Sequence, residues 1–218
     1  MIVYTVKNGK YFPFAESFAN DSENLRGIYI NLTNRCNNDC VFCLRDKKIM
    51  TAEKSLWLDK EPTVDEVKVE LDSVPFNLVK EVVFCGFGEP TIRLAELTEI
   101  LRYVKKIHPN ISTRLNTNGL GELEHGRDIS ADFKNILDVA SISLNASTAE
   151  KYLKITRSKF GIQAYEAMFT FAEHMKKTVP QVIMTIVDKV TPPNEIDFCR
   201  KICDKHGIKF RVRPYEAN

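Results

Sequence analysis

Residues 27–43 read Gly-Ile-Tyr-Ile-Asn-Leu-Thr-Asn-Arg-Cys-Asn-Asn-Asp-Cys-Val-Phe-Cys. The apolar part, residues 28–32, predicts a strand that runs directly into a loop with three thiols, Cys36, Cys40 and Cys43. A closed structural zinc site uses four ligands, and so do cysteine-ligated iron–sulfur clusters that only carry electrons. Three cysteines without a fourth ligand nearby therefore indicate a metal centre with one position left open.

The other cysteines and histidines lie far from this loop in the sequence. They are Cys85, Cys199, Cys203, His108, His125, His174 and His206. Structural zinc with a distant fourth ligand stays an alternative. A disulfide is disfavoured, because nothing in the sequence suggests export to an oxidising compartment.

Composition sets the protein class. The chain has 218 residues, of which 44% are hydrophobic and 28% charged, as expected of one globular α/β domain. Its net charge of +2, from 31 basic and 29 acidic residues, gives no electrostatic footprint of nucleic-acid binding. No apolar run approaches membrane-spanning length, and the N-terminus lacks a basic region followed by a long apolar one. We expect a cytoplasmic protein that does not contact a membrane.

Strands and helices are predicted to alternate along most of the chain. Strands are predicted at 28–32, 82–85, 111–118, 140–145, 182–188 and 209–213, and helices at 63–72, 92–107, 131–138, 147–157, 163–177 and 194–205. Thr63 and Glu66 form a capping-box pattern at the start of the first helix. Six such alternations imply parallel strands, in either a doubly wound sheet or a partial barrel.

The N-terminal segment has a different pattern. Asn8-Gly9 lies between two apolar runs and favours a type I′ turn, so residues 2–14 are predicted to form a hairpin. We interpret it as an accessory ribbon, with residues 1–25 as hairpin and connector and residues 26–218 as the core domain.

Three predicted strands carry polar residues at every second position. The residues that share a face are Arg114, Asn116 and Asn118 in one strand, Ser141, Ser143 and Asn145 in the next, and Arg211 and Arg213 in the last. Parallel strands covered on both faces are usually apolar, so this pattern favours a partial barrel with a polar ligand inside. An exposed edge sheet is the alternative.

A second motif, Cys85-Gly86-Phe87-Gly88-Glu89-Pro90-Thr91, follows a predicted buried strand and precedes a helix. Its glycines permit the backbone to approach a ligand closely, and Pro90 fixes the turn. The alternative is that the loop is only a tight connection between the strand and the helix.

Together, Cys-Asn-Asn-Asp-Cys-Val-Phe-Cys and Gly-Phe-Gly-Glu-Pro-Thr resemble the radical S-adenosylmethionine (SAM) superfamily. The superfamily pattern is Cys-x3-Cys-x-aromatic-Cys, with Phe42 in the aromatic place, followed by a Gly-Gly-Glu-Pro-like turn that here carries Phe87. This variant, with the Ser-Ile-Ser-Leu-Asn-Ala stretch at 141–146, is similar to the TatD-linked radical SAM proteins. The implied fold is a partial (β/α)6 TIM-like barrel of parallel strands.

The resemblance implies a role for each matching position. Cys36, Cys40 and Cys43 would hold three irons of a 4Fe-4S cluster whose fourth iron binds SAM. Backbone carbonyls of Gly86, Phe87 and Gly88 would accept hydrogen bonds from the SAM ammonium, Glu89 and Pro90 would complete this cofactor-binding loop, and the backbone at Phe42 would meet the adenine. The candidates for ribose and carboxylate contacts are Asn116, Asn118, Ser143 and Asn145.

The implied chemistry begins with reductive cleavage of SAM. One electron cleaves it to methionine and a 5′-deoxyadenosyl radical, which abstracts hydrogen from an unknown substrate, either a small molecule or a protein. The electron donor would be of flavodoxin or ferredoxin type. A glycyl-radical-activating role, an iron–sulfur electron carrier and a zinc-binding interaction module remain alternatives.

Two further groups of residues have opposing interpretations. The 119–128 connection is long for a loop between a strand and a helix, so His125, Arg127 and Asp128 are substrate candidates, or simply solvated charges. Arg211 and Arg213 are candidates for binding a substrate carboxylate or phosphate, or the SAM carboxylate. By contrast, Cys199 and Cys203 share an apolar helix face and are predicted to be core residues, not ligands.

Overall fold

One eight-stranded sheet organises the molecule in the computed structural model, which describes residues 1–7, 9–14, 16, 25–48, 50–51 and 54–215. The strands are β1 (Val3–Lys7), β2 (Lys10–Pro13), β3 (Arg26–Ile30), β4 (Val79–Phe84), β5 (Ser112–Thr117), β6 (Val139–Ser143), β7 (Gln181–Val187) and β8 (Lys209–Arg213). Their spatial order is β2-β1-β3-β4-β5-β6-β7-β8, and β3 to β8 are parallel throughout. The predicted six-stranded parallel architecture is confirmed.

Helices follow the parallel strands. They are α1 (Leu44–Lys47), α2 (Val64–Asp72), α3 (Leu94–Ile107), α4 (Gly121–His125), α5 (Ala149–Thr156), α6 (Ala164–Met175) and α7 (Pro193–Lys205). At the start of α2 the predicted capping box is present, because Thr63 Oγ1 accepts the Glu66 N–H and the Glu66 side chain accepts the Thr63 N–H. No helix in the described ranges is long and apolar enough to cross a bilayer.

Two predictions between residues 119 and 138 were wrong. The connection after β5 contains the five-residue helix α4, and the predicted helix 131–138 is only a 3₁₀ turn, Ser130–Phe133. Phe133 and Leu137 are buried, and the N–H groups of Ile136 and Leu137 both bond back to the Phe133 carbonyl. This segment therefore packs as a compact turn against α6 and does not continue as an α-helix.

The N-terminal hairpin is continuous with the sheet, because β1 pairs antiparallel with both β2 and β3. Gly9 has φ 70°, but Asn8 of the predicted turn lies outside the described residues, as does most of the connector before residue 25. The Tyr4 hydroxyl donates to the Cys85 carbonyl at 3.0 Å. The ribbon therefore forms part of the wall beside the glycine-rich loop.

The sheet has two chemically different faces. Alternate residues such as Ile30, Phe84 and Leu115 are fully buried against the helices and form the main core, which includes Cys199 and Cys203 as predicted. The opposite face carries Arg114, Ser141 and other polar residues. Arg114, Asn116 and Ser143 of this face line cavities inside the curved sheet, and Ser141 is buried, so the exposed-edge interpretation does not hold.

Candidate functional site

The loops that follow neighbouring strands meet around a cavity of about 230 Å³. The cysteine loop follows β3, the glycine-rich loop follows β4, and polar residues mark the ends of β5 and β6. The lining residues predicted from the sequence are Cys36, Cys40, Cys43, Gly86, Phe87, Gly88, Glu89, Asn116, Asn118, Ser143, Asn145 and Arg213. Motifs separated by more than a hundred residues thus share one cavity, at the end of the strands where barrels carry their chemistry.

The cysteine loop is fixed by the C-terminal end of α5. Asp39 N–H donates to the Thr156 carbonyl at 2.8 Å, and Val41 N–H donates to the Ile155 carbonyl at 2.9 Å. The last carbonyls of a helix lack partners within the helix, so the loop satisfies them and gains a rigid support. The Asn37 carbonyl in turn accepts the Lys159 N–H at 2.9 Å.

The glycines of the second motif permit a close approach of protein to protein. A Cβ atom at Gly88 would lie 2.3 Å from the Thr33 carbonyl oxygen and 2.4 Å from that of Arg35. At Gly86 it would lie 2.0 Å from Asn31 Oδ1. These glycines therefore have a structural role besides the expected approach to a ligand. They permit the glycine-rich loop to lie directly against the segment that precedes Cys36.

Glu89 is buried and joins the glycine-rich loop to the end of β5. Its Oε1 accepts the N–H and hydroxyl of Thr91 at 3.1 and 2.8 Å and the Thr117 hydroxyl at 2.7 Å, and its Oε2 accepts the Asn118 N–H at 2.7 Å. Burial raises the pKa of Glu89 above its ordinary value, although these hydrogen bonds act in the opposite direction. Its carboxyl oxygens therefore already accept hydrogen bonds from the protein, and the group holds the two segments of the site together.

Four asparagines bring amide groups to the cavity, namely Asn38, Asn116, Asn118 and Asn145. The Asn118 amide nitrogen donates to the Asn37 side chain and lies 3.9 Å from Cys36 Sγ. Asn116 Oδ1 and both amide atoms of Asn38 are buried and have no hydrogen-bond partner. Buried polar atoms without partners are rare in native proteins, so these atoms fit a site that takes a polar ligand.

The thiols themselves fit a cationic metal group. Burial raises the pKa of Cys36 to about 11 and that of Cys40 to about 12, and it raises the pKa of Cys43 as well. Thiolates bind metals, so loading such a site must displace three protons. A single zinc ion would hold three sulfurs within ~4 Å of one another. Among the described residues, Glu122, Asp128 and His174 are the one group of three or more potential ligands whose donor atoms all lie within 4.8 Å of one another, so the three cysteine sulfurs are not all gathered that closely.

Phe42 faces a second, larger cavity of about 620 Å³, which Asn145 also lines. The Phe42 carbonyl accepts the Tyr215 hydroxyl at 3.4 Å. Asn145 lies two residues beyond β6 with φ 61°, a left-handed conformation that asparagine tolerates better than most residues. Phe42, Asn145 and Tyr215 thus line one cavity beside the cysteine loop.

The predicted substrate candidates of the 119–128 segment lie outside the cysteine cavity. His125 Nε2 is 2.7 Å from the Thr91 carbonyl, and Arg127 pairs with Asp132 at 2.7 Å on the surface. Asp128 accepts the Ser130 N–H at 2.8 Å and is exposed. Because α4 packs this segment against the helical layer, its charged groups form local contacts of their own.

Some residues around the site were not assigned to it from the sequence. Arg114, which the sequence places on a polar strand face with Asn116 but assigns to no ligand, lines a cavity of about 310 Å³ with the predicted Arg211 and Arg213. Tyr4 and Tyr11 of the hairpin also line both the 230 and 310 Å³ cavities, but no local pattern links them to the cysteines.

An α/β partial barrel with three cysteines and a glycine-rich loop at the carboxyl ends of its parallel strands defines a class of enzymes that use a metal cluster. The model of the radical SAM superfamily matches residues 30–202. The chain belongs to this superfamily, whose members are enzymes that use a 4Fe-4S cluster and SAM.

Curated relatives share part of the chain. The GTP 3′,8-cyclase of Corynebacterium glutamicum is 31% identical over 140 residues, which are 61% of this chain and 34% of that protein. The probable GTP 3′,8-cyclase of Thermococcus kodakarensis is 29% identical over 168 residues, 77% of this chain and 48% of that protein. The chain thus spans about a third to a half of the length of these relatives.

Solved structures share the fold. SuiB of Streptococcus suis, bound to the precursor peptide SuiA, superposes with a TM-score of 0.65 at 18% identity, covering 93% of this chain and 42% of that one. A radical SAM methyltransferase from Sphaerobacter thermophilus gives 0.61 at 13% identity, covering 87% and 55%. At these identities the likeness concerns the fold alone.

Proposed function

We propose that this chain is a radical SAM core that holds a 4Fe-4S cluster through Cys36, Cys40 and Cys43 and cleaves SAM reductively. The observation that carries the proposal is the single cavity that these three cysteines share with the Gly86–Glu89 loop and with unpartnered buried amides. When bound, the cluster would supply one electron to the SAM sulfonium, which separates into methionine and a 5′-deoxyadenosyl radical that takes a hydrogen atom from substrate.

The chain's own residues would position SAM. Backbone carbonyls of Gly86, Phe87 and Gly88 would accept the SAM ammonium protons, while the backbone of Phe42 would meet the adenine. The polar side chains for ribose and carboxylate would be Asn116, Asn118, Ser143 and Asn145. The buried Asn116 Oδ1 has a free acceptor for such a contact, whereas Glu89 supports this arrangement through the Asn118 N–H.

The enclosing elements would keep water from the reacting atoms. Phe87 is buried against Tyr4, Tyr11 and Leu56, and Trp57 packs edge-on against it with ring centroids 5.3 Å apart. A site closed by aromatic side chains shields reactive intermediates from side reactions. A reductant of flavodoxin or ferredoxin type would supply the electron. Membership of the TatD-linked group is part of the proposal, although the curated relatives carry the name GTP 3′,8-cyclase.

Electron paramagnetic resonance on anaerobically reconstituted, reduced protein tests this function. We expect about four irons per chain and a cluster signal that changes when SAM is added, because SAM would bind the open iron. A cluster signal indifferent to SAM would instead indicate an electron carrier. A colourless protein that retains one tight zinc would indicate a structural zinc module.

A further inference from the structure

An arginine cluster lies inside the barrel, next to the cysteine cavity. Arg114 comes from β5 and Arg211 and Arg213 come from alternate positions of β8, so all three point to the concave face of the sheet. They line the 310 Å³ cavity, together with Tyr29 and Asn116. A cavity of this size is at the lower end of pockets that hold small molecules.

The cluster carries more positive than negative charge. Arg114 pairs with Glu81 at 3.1 Å, and Arg211 donates to the Ser141 hydroxyl at 3.2 Å. Within the described ranges, neither Arg211 nor Arg213 has a carboxylate partner within 4 Å, and the cavity lining contains no acidic residue. Three guanidinium groups thus face the cavity, and among the described residues only Arg114 has a carboxylate partner, Glu81.

Hydrogen-bond donors in the cluster also lack acceptors. The Nε atoms of Arg114, Arg211 and Arg213 are all buried without a partner. Burial lowers the pKa of Arg211, and repulsion from Arg114 and Arg213 lowers it further. An anion between the three groups would relieve this repulsion and accept several charge-assisted hydrogen bonds, the geometry that guanidinium offers to carboxylate and phosphate.

We propose that the 310 Å³ cavity is the substrate site, and that Arg114, Arg211 and Arg213 hold an anionic group of a small-molecule substrate, a carboxylate or a phosphate. This inference rests on the proposed function. Arg213, Asn116 and Cys85 line both this cavity and the one with the cysteines, so the two spaces adjoin. A substrate anchored by its anion would extend its other end toward the cysteine cavity, where the 5′ carbon of SAM would lie.

Isothermal titration calorimetry with inorganic phosphate and with succinate tests the site, using reconstituted protein in the presence of saturating SAM. We expect one of the two anions to bind, and the preferred one identifies the anionic group. Arg114→Gln and Arg211→Gln should weaken its binding tenfold or more, because each removes a charged donor. Arg211→Lys keeps the positive charge and should therefore retain part of the anion binding.

Arg102→Gln is the matched control, because Arg102 is exposed on α3. Binding that is equally strong in all variants, or absent from the wild type, would overturn the inference. Anion binding seen only without SAM would overturn it too, since the arginines would then serve the SAM carboxylate. The proposed function fails separately: if SAM does not perturb the cluster signal, the cluster assignment is lost whatever the anion does.

Discussion

Gly88 and Thr33 lie so close that a single methyl group would not fit between them: a Cβ atom at Gly88 would stand 2.3 Å from the Thr33 carbonyl oxygen. The backbone hydrogen bond from Glu89 N–H to the Arg35 carbonyl, at 2.8 Å, lies beside this contact. The glycine-rich loop and the start of the cysteine loop therefore form one unit, and the position of Cys36 depends on it.

Gly88→Ala should push the cysteine loop away and reduce cluster assembly. The overlap is with backbone atoms that cannot rotate aside, so we expect a loss of ~1–3 kcal/mol in the free energy of unfolding and a large fall in iron bound per chain. Gly126→Ala is the control: Gly126 has φ 64° but nothing within 4 Å of an added Cβ. It should cost ~1–2 kcal/mol of strain and keep the iron. Equal iron content in both variants would contradict the proposed coupling.

Glu89→Ala should destabilise the protein by about 3 kcal/mol, because it leaves buried donors of Thr91, Thr117 and Asn118 without their acceptor. Glu89→Gln should cost less, about 2 kcal/mol, since its amide oxygen still accepts the Asn118 N–H and its NH₂ group can donate to the threonine hydroxyls, but the buried Thr91 N–H loses its acceptor. Urea unfolding measures both values. Glu99→Ala, on the exposed surface, should change stability by less than ~0.5 kcal/mol, and a similar cost in all three would argue against a supporting role for Glu89.

Cys40→Ala should abolish cluster assembly, whereas Cys199→Ala should leave it intact. Cys199 is buried in the helical core, and burial raises its pKa to about 12, so it behaves as an apolar residue. Its truncation should cost ~1–2 kcal/mol through the small cavity that it leaves. Iron and sulfide analysis separates the two effects, and loss of iron from both variants would overturn the ligand assignment.

The capping box of α2 should make stability depend on acidic pH. Hydrogen bonds from Lys60 and from the Thr63 N–H lower the pKa of Glu66 to about 2, below its ordinary value of 4.5. A lowered pKa in the folded state means that the stabilisation is present above pH 4.5 and is lost as the pH falls toward 2. The difference in Tm between wild type and Glu66→Gln should therefore shrink as the pH is lowered from 6 to 3. A constant difference would show that the charge of Glu66 is not responsible.

Much of the fold was predictable because local patterns and tertiary packing agree. The capping box at Thr63, the buried face of Cys199 and Cys203, and the alternating polar residues of β5, β6 and β8 all have a signal within a few neighbouring residues. Helix α4 was missed because five residues are too few for a helical period to be recognised.

Other features depend on contacts between distant segments. Nothing near Gly88 in the sequence shows that the Thr33 carbonyl will lie against it, and nothing near Tyr4 shows that its hydroxyl will reach Cys85. Arg114 was recognised as part of a polar face, but its place beside Arg211 follows from the strand order and register. Such relationships become visible only when the sheet is assembled.

The most direct test of the central claim is the formation of 5′-deoxyadenosine from SAM by the reduced, reconstituted protein under anaerobic conditions, measured by liquid chromatography. We predict that the wild type and Cys199→Ala form it, and that Cys36→Ala, Cys40→Ala and Cys43→Ala do not. A wild-type protein that carries a full cluster and yields no 5′-deoxyadenosine, or a Cys40→Ala variant that still yields it, would contradict the claim.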